Sequence, residues 1–259
     1  MKLHVVVISW TGKSDNARTI AAAVGGHADD VTVVYSNADE RDETGPGQWI
    51  RLPDSDFYGR KFAAAAQAAG DAALLLIHAD TSFADWPGLV GRCRAAFARH
   101  ADLGFWSPDF TNTPYRFNYV EMLPLPDGDG LVSVAQNDGI VFALSPAVVG
   151  RLRQLDFSQN NLGWGIDWAA LAFCHANGLL VVRDPTLVVT HPKGSGYGTD
   201  AAAAQMRAFL GQLTFAERNQ LLLLRTYYLT HRREAKSRVF RFLMRHVWRR
   251  KEGPYWLLR

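Results

Sequence analysis

Apolar residues occur in short, nearly unbroken runs rich in β-branched side chains at 4–10, 31–36, 74–78, 140–144, 179–183 and 187–190. A strand with one solvated face alternates apolar and polar positions, whereas a strand covered on both faces reads as a continuous apolar run. These segments therefore predict buried strands. Between several of them the apolar positions take helical spacing, at 14–24, 58–69, 86–100, 146–155 and 167–177. Strand and helix in alternation predict an α/β fold with a mainly parallel sheet flanked by helices.

This rhythm breaks twice. Residues 108–130 are dense in Pro, Asn, Asp and Gly, including Pro124, Pro126, Asp127-Gly128 and Asp129-Gly130, and predict an extended loop or hairpin. Past Gly198 the strands stop. Residues 199–210, 214–228 and roughly 232–250 predict helices alone, the second opened by a Thr214/Glu217 capping box. The expected organisation is an α/β domain over 1–198 and an α-helical extension over 199–259.

Composition narrows the class. An apolar content of 48% supports a substantial core and excludes disorder for most of the chain. No run approaches the roughly 20 apolar residues that span a bilayer. Met1-Lys2-Leu3-His4, leading directly into Val5-Val6-Val7-Ile8, lacks the form of a secretory signal, so a cytoplasmic protein is expected. Cys93 and Cys174 lie inside helical patterns without paired metal-ligand spacing and are expected to be structural thiols.

The net charge of +3 conceals an asymmetry. Residues 231–259 hold ten Lys or Arg against two acids, a local +8 that leaves −5 on residues 1–230. At 100° per residue, Arg238, Arg241, Arg245 and Arg249 share one helix face, and Phe240, Leu243 and Val247 centre on the other. Such a helix either lies on an anionic membrane or packs against its own domain or a second copy of the chain. Aromatics in the basic tail, such as Phe240 and Trp248, could stack on bases, but the acidic balance of the first 230 residues argues against nucleic acid crossing the main domain.

Candidate chemistry sits at the ends of the predicted strands. Gly12-Lys13-Ser14 matches the end of a phosphate-binding loop, but Val7 stands where that loop needs glycine, so Ser14 is expected instead to cap the next helix. Asp80 follows the most apolar run and either serves a metal or phosphate or is a cap or turn acid ahead of the next helix. His191 ends the last strand and either binds a divalent cation or diphosphate oxygen or acts as a surface or capping histidine. Lys193 beside it either contacts an anion or lies in a solvated turn.

Asp167 opens a helix behind Asn160, Asn161, Gly163, Trp164 and Gly165. The helix dipole alone stabilises an acid there, but a Trp flanked by glycines can also stack on a sugar ring while the adjacent carboxylate deprotonates a hydroxyl. Arg60 and Lys61 put two cations where a helix dipole opposes them. Binding to a nucleotide diphosphate is one reason for them, and plain exposure is the other.

Taken in order, these residues resemble the GT-A glycosyltransferases, particularly the family 2 type, over about residues 3–198. Ser9-Trp10 stand where that fold begins its nucleotide pocket, and Asn37 and Asp39 lie where an acid usually reads the uracil base. Gly59-Arg60 resembles the family's helix start, and His78-Ala79-Asp80 takes the place of the Asp-x-Asp motif. Trp164-Gly165-Ile166-Asp167 takes that of the Trp-Gly-x-Glu-Asp type motif, and His191 that of the late metal-binding histidine. Two departures stand out: His78 replaces the first acid of one motif and Ile166 the Glu of the other, which leaves weak or absent metal dependence open.

The resemblance implies a GT-A type Rossmann-like sheet and a nucleotide-sugar donor, UDP foremost, bound by Ser9, Trp10, Asn37, Asp39, Arg60, His78 and Lys193. It implies Mn²⁺ or Mg²⁺ on Asp80 and His191, with Trp164, Gly165 and Asp138 contacting acceptor or sugar. Asp167 would be the base of an inverting transfer to a glycan or lipid-linked acceptor in bacterial-type glycan or glycolipid synthesis, and a tail lying on a membrane would place the protein at its inner face. A noncatalytic nucleotide-sugar-binding protein and a nucleotidyltransferase are the alternatives.

Overall fold

The computed structural model describes residues 1–125, 130–192 and 198–236. The first part of the chain forms β1 (Leu3–Ser9), α1 (Ser14–Val24), β2 (Asp30–Tyr35), β3 (Gln48–Arg51), α2 (Tyr58–Ala69), β4 (Ala73–His78) and α3 (Trp86–Arg99). Then come β5 (Leu103–Phe110), the short α4 (Phe117–Val120), β6 (Glu121–Pro124), β7 (Val132–Val134), β8 (Val141–Leu144), α5 (Pro146–Leu152), α6 (Ile166–Ala176) and β9 (Leu180–Val189). Helices α7 (Thr199–Leu210) and α8 (Phe215–Lys236) follow.

The strands form one mixed, mostly parallel sheet in the order β3-β2-β1-β4-β8-β5-β9-β7-β6. β3 to β4 run parallel, as do β5 and β9. β8 runs antiparallel between β4 and β5, and β7 and β6 form an antiparallel edge. The continuous apolar runs have the predicted cause, because both sheet faces are covered. All seven residues of β1 are buried; Val6 and Ile8 join Phe62 and Phe142 on one face, while Val5 and Val7 join Ile20 and Leu89 on the other.

Several local expectations change. Ser14 is the first helical residue of α1 rather than its cap, and the capping position, Lys13, makes no side-chain cap bond. The two runs at 179–183 and 187–190 form a single strand, β9. Its pairing with β5 jumps from Pro108–Asp184 to Asp109–Val188, and Asp184 stabilises the bulge by accepting hydrogen bonds from the N and Oγ1 of Thr186 at 3.1 and 2.5 Å. β5 itself escapes the apolar pattern because Gly104 and Pro108 interrupt it; pairing on both edges overrides that weak propensity. The 108–130 segment therefore begins as strand, then turns through α4 into the antiparallel β6/β7 pair.

The helices expected at 214–228 and 232–250 are continuous through Lys236, and residues 237–259, with the arginine face at 238–249, lie outside the described residues. The Thr214/Glu217 capping box forms, with Thr214 N donating to Glu217 Oε2 at 2.7 Å and Glu217 N to Thr214 Oγ1 at 3.3 Å. The same carboxylate takes two hydrogen bonds from Arg151 of α5, at 2.7 and 2.9 Å. Leu221, Leu224, Tyr227 and Tyr228 of α8 enter the core cluster that also covers the sheet. Cys93 and Cys174 are free and buried.

Candidate active site

Parallel strands β1, β2, β4, β5 and β9 end on one edge of the sheet, and antiparallel β8 begins there. That edge gathers Ser9, Asn37, His78, Asp80, Asp138 and His191 from segments remote in the chain. It is the usual ligand crevice of an α/β sheet.

At the end of β4, residues 78–81 form a tight turn in which Thr81 N and Oγ1 both donate to His78 O, at 3.1 and 2.6 Å. Asn16, in the first turn of α1, holds it from outside by donating to Ala79 O and Thr81 O at 2.7 and 2.9 Å. Ser82 and Thr190 form an isolated antiparallel bridge that lays the end of β9 beside this turn. His191 Nε2 thereby comes 3.4 Å from Asp80 Oδ2. Asp80 lies in the turn itself and does not cap α3, a role Asp85 fills by accepting from Gly88 N at 2.8 Å.

His78, Asp80 and His191 can each offer one ligand atom, all within 4.8 Å of one another. His78 Nε2 and Asp80 Oδ1 are buried and have no hydrogen-bond partner, so the cluster retains unsatisfied donor and acceptor capacity. Burial pushes the His78 imidazole down to about 4, keeping it neutral and ligand-competent. Burial would raise the Asp80 carboxyl, but the hydrogen bond with His191, first among the opposing influences, holds it below its ordinary value.

Tyr58 links this cluster to the acids. Its ring lies 4.7 Å from that of His78, centre to centre, and its hydroxyl donates to Gly139 O at 3.1 Å. A Cβ on Gly139 would sit 3.7 Å from Cβ of Asp167, in the first turn of α6. Asp167 retains some solvent access, but burial first and the neighbouring Asp138 second push its carboxyl up to about 7. Gln136 Nε2 donates to Asp167 Oδ2 at 3.1 Å. Burial also raises the Asp138 carboxyl, against the opposing hydrogen bond from Thr113 at 2.6 Å.

Arg183, fully buried in β9, positions this floor. It donates to Asn137 Oδ1 at 3.0 Å, Gln136 O at 3.1 Å and Tyr115 O at 2.8 Å, and pairs with Asp109 at 3.4 Å. Tyr115 in turn accepts from Trp168 Nε1 at 3.3 Å. These residues lack a local motif: Arg183 reads as one charge in an apolar strand, and Gln136 as a loop amide. The charge interrupting a buried run was their one visible signal.

On the β1–β2 side, Trp10 meets His78 edge-on at 5.9 Å. Ser9 is buried with its hydroxyl unpartnered, and buried Asn37 donates to Arg41 O at 2.8 Å. Asp39 and Arg60 are exposed. The adjacent cation behaves otherwise: Lys61 is buried and donates to Ser36 Oγ at 2.8 Å, and Ser36 donates to Asp54 Oδ1 at 3.1 Å. Burial pulls the Lys61 ammonium down to about 8, opposed by Asp54 and Asp56.

Gly59 lets α2 start against the 160–163 turn, because a Cβ there would meet Asn160 O at 1.7 Å. Gly165, at φ 89°, packs on α7, where a Cβ would lie 2.7 Å from Met206 Cγ. Half-buried Trp164 precedes it, its carbonyl accepting from Asn160 Nδ2 at 3.1 Å. Lys193 lies outside the described residues.

No family model matches the chain, and no curated protein matches it by sequence. Among solved structures, the chain is similar to S. aureus TarS residues 1–349 in complex with UDP-GlcNAc. The TM-score is 0.58 and identity 15%, covering 95% of this chain and 76% of that one. A second structure of TarS 1–349 gives 0.54 and 13% over 95% and 75%. GalNAc-T7 with UDP, GalNAc and Mn²⁺ gives 0.53 and 12%, over 96% of this chain and 57% of that one. At such identities the likeness concerns architecture alone: the protein has a GT-A-like fold.

Proposed function

We propose that the protein is a glycosyltransferase that moves a sugar from a nucleotide-sugar donor, UDP-linked, to an acceptor hydroxyl with inversion at the anomeric carbon. The observation that carries this reading is the Asp167 carboxyl, poised at about 7 and joined through Gly139 and Tyr58 to the His78/Asp80/His191 cluster. A base near neutrality beside a strand-end cluster suits deprotonation of a hydroxyl that attacks an activated sugar. The similar structures with UDP-GlcNAc and with UDP, GalNAc and Mn²⁺ support the donor class.

In this reading the donor diphosphate lies near Asp80 and His191, with Ser9, Trp10, Asn37, Asp39, Arg60 and Lys193 around the nucleotide. The donor set and its orphaned atoms fit a divalent cation held by Asp80 and His191. When bound, such an ion neutralises charge on the departing diphosphate. Asp167 takes the acceptor proton, Gln136 orients its carboxylate, and Trp164 and Asp138 face acceptor or sugar. Gly165 belongs to the same proposed contact, although its packing on α7 already accounts for a glycine there.

We extend the reading to a lipid-linked acceptor, as in bacterial-type glycolipid synthesis, reached by peripheral contact of the C-terminal segment with a membrane. No described helix is long and apolar enough to cross one. The outer face of α8 nevertheless exposes Phe215, Leu222, Leu223 and Leu229 together with Arg218 and Arg225. Apolar and cationic side chains on one face suit an anionic lipid surface. A second copy of the chain is the competing occupant.

A panel of nucleotide sugars, with and without Mn²⁺, tests the donor by thermal shift, because a ligand of the native state raises its melting temperature. Stabilisation by a UDP-sugar, followed by its conversion with mixed acceptors, is expected. No shift with any nucleotide sugar would overturn the function. Removing residues 231–259 should weaken sedimentation with anionic liposomes, and unchanged sedimentation would remove the tail from the membrane contact.

A further inference from the structure

We propose that His78 is a full metal ligand. Together with Asp80 and His191 it forms a two-histidine, one-carboxylate site that takes a divalent transition metal in preference to Mg²⁺. This deepens the functional reading above by naming the ion class, and it rests on the geometry of the strand-end cluster.

The donor set argues for this selectivity. Mg²⁺ favours oxygen ligands and retains much of its water, whereas imidazole nitrogen suits Zn²⁺, Fe²⁺, Ni²⁺ and Cu²⁺, with Co²⁺ between Fe²⁺ and Ni²⁺ in the affinity order. An acid at position 78 would make the pair before α3 oxygen-only. With histidine there, two of the three protein donors are nitrogen, and small side-chain rotations bring all three onto one ion from positions already within 4.8 Å.

The atoms left over point the same way. Had His78 replaced an acid merely to fill space, its buried ring would be expected to hydrogen-bond within the fold. Instead its Nε2 is orphaned, as is Asp80 Oδ1, while His191 Nε2 faces the other oxygen of the same carboxylate at 3.4 Å. Buried polar atoms seldom remain unpartnered, and two in one cluster mark a position for a ligand. Lys61, whose charge reaches His78, is occupied by its hydrogen bond to Ser36.

The surroundings are built to hold the ligands still. Asn16 fixes the carbonyls on both sides of Asp80, Thr81 fixes the carbonyl of His78, and Asn112 Nδ2 donates to His191 O at 2.7 Å. The Ser82–Thr190 bridge sets the distance between the two halves of the site. Such outer contacts orient ligands and raise affinity in metal centres.

The test is a Co²⁺ titration of chelator-treated full-length protein, followed by visible absorption, with Mg²⁺, Mn²⁺ and Zn²⁺ as competitors and no nucleotide present. One Co²⁺ should bind, be displaced by Zn²⁺, and resist a large excess of Mg²⁺. Loss of an outer contact alone costs roughly 10–100-fold in affinity, so His78→Ala and His191→Ala should each weaken Co²⁺ by at least that much. His78→Asp should lower Co²⁺ affinity and raise that for Mg²⁺. Thermal melts of the metal-free variants establish that they fold.

Absence of Co²⁺ binding, equal affinity for Mg²⁺, or wild-type affinity in a folded His78→Ala variant would each overturn the proposal. Donor binding measured separately without metal reports on the glycosyltransferase reading, so failure of one is distinguishable from failure of the other.

Discussion

Two groups of inward-facing charge flank the cleft, and they are completed differently. Arg183, on the β9 side, is fully buried yet surrounded by the carbonyls of Tyr115 and Gln136, the amide of Asn137 and the carboxylate of Asp109. The His78/Asp80/His191 cluster, on the β4 side, retains two buried polar atoms without a partner. Burial of a charge is tolerated when the protein supplies the compensation, as it does for Arg183. The β4 cluster is compensated only in part, which is the expected state of a site that completes itself with a ligand. One region positions backbone and acids; the other is the one we propose to bind metal.

Four substitutions test this division. The largest expected effect is on turnover: Asp167→Asn should slow transfer by about 10²–10⁴-fold, the range of a general base, while the thermal shift from donor remains. Retained turnover would remove Asp167 from the chemistry, and lost donor binding would mean that the two regions are not separable.

Arg183→Met should cost about 3–5 kcal/mol in urea unfolding, because it strips a buried network of its cation. A loss under about 1 kcal/mol would show that the surrounding carbonyls find water or other partners, within the ordinary range of a single hydrogen bond.

Asp138→Asn addresses the acids directly. As the proposed base Asp167 has to be ionised, so on that reading activity should rise with pH through about 7. Removing the neighbouring negative charge favours ionisation, and the acidic limb should move to lower pH. An unmoved limb in the pH–rate profile would mean that burial alone sets Asp167. The same raised carboxyl favours the native state below the ordinary carboxyl range, and that contribution is lost as pH rises toward 7.

The smallest effect belongs to Asn16→Ala, which removes two hydrogen bonds from the 78–81 turn and should lower stability by about 1–2 kcal/mol. If the turn holds a binding site, Co²⁺ affinity should also fall, with Asp167 chemistry affected only through the metal. A melting change without any change in Co²⁺ affinity would reduce Asn16 to a fold contact.

Much of the fold was legible along the chain because its cues are local. Helices α1, α2 and α7 occupy the predicted 14–24, 58–69 and 199–210, and the two-sided burial of β1 and β4 is written in their continuous apolar runs. The departures occur where pairing overrules propensity, as in β5 with its Gly104 and Pro108, and in β9 with its bulge at Asp184. Among the candidate site residues, Asp80, Asp167 and His191 were visible as polar side chains at the ends of apolar elements. Asn16, Gln136 and Tyr58 were not, because each acts on residues distant in sequence, and Arg183 showed only as a charge interrupting an apolar run.

Local pattern thus sufficed for the strands, most helices and the chemical types available at their ends, since hydrophobic periodicity and turn composition act over a few residues. The site itself required the folded chain. Antiparallel β8 delivers Asp138 and Gly139 to an edge where the parallel strands end, the Ser82–Thr190 bridge brings His191 to Asp80, and burial among neighbours moves Asp167 toward neutrality. Proximity and desolvation are properties of packing, and one-dimensional order does not contain them.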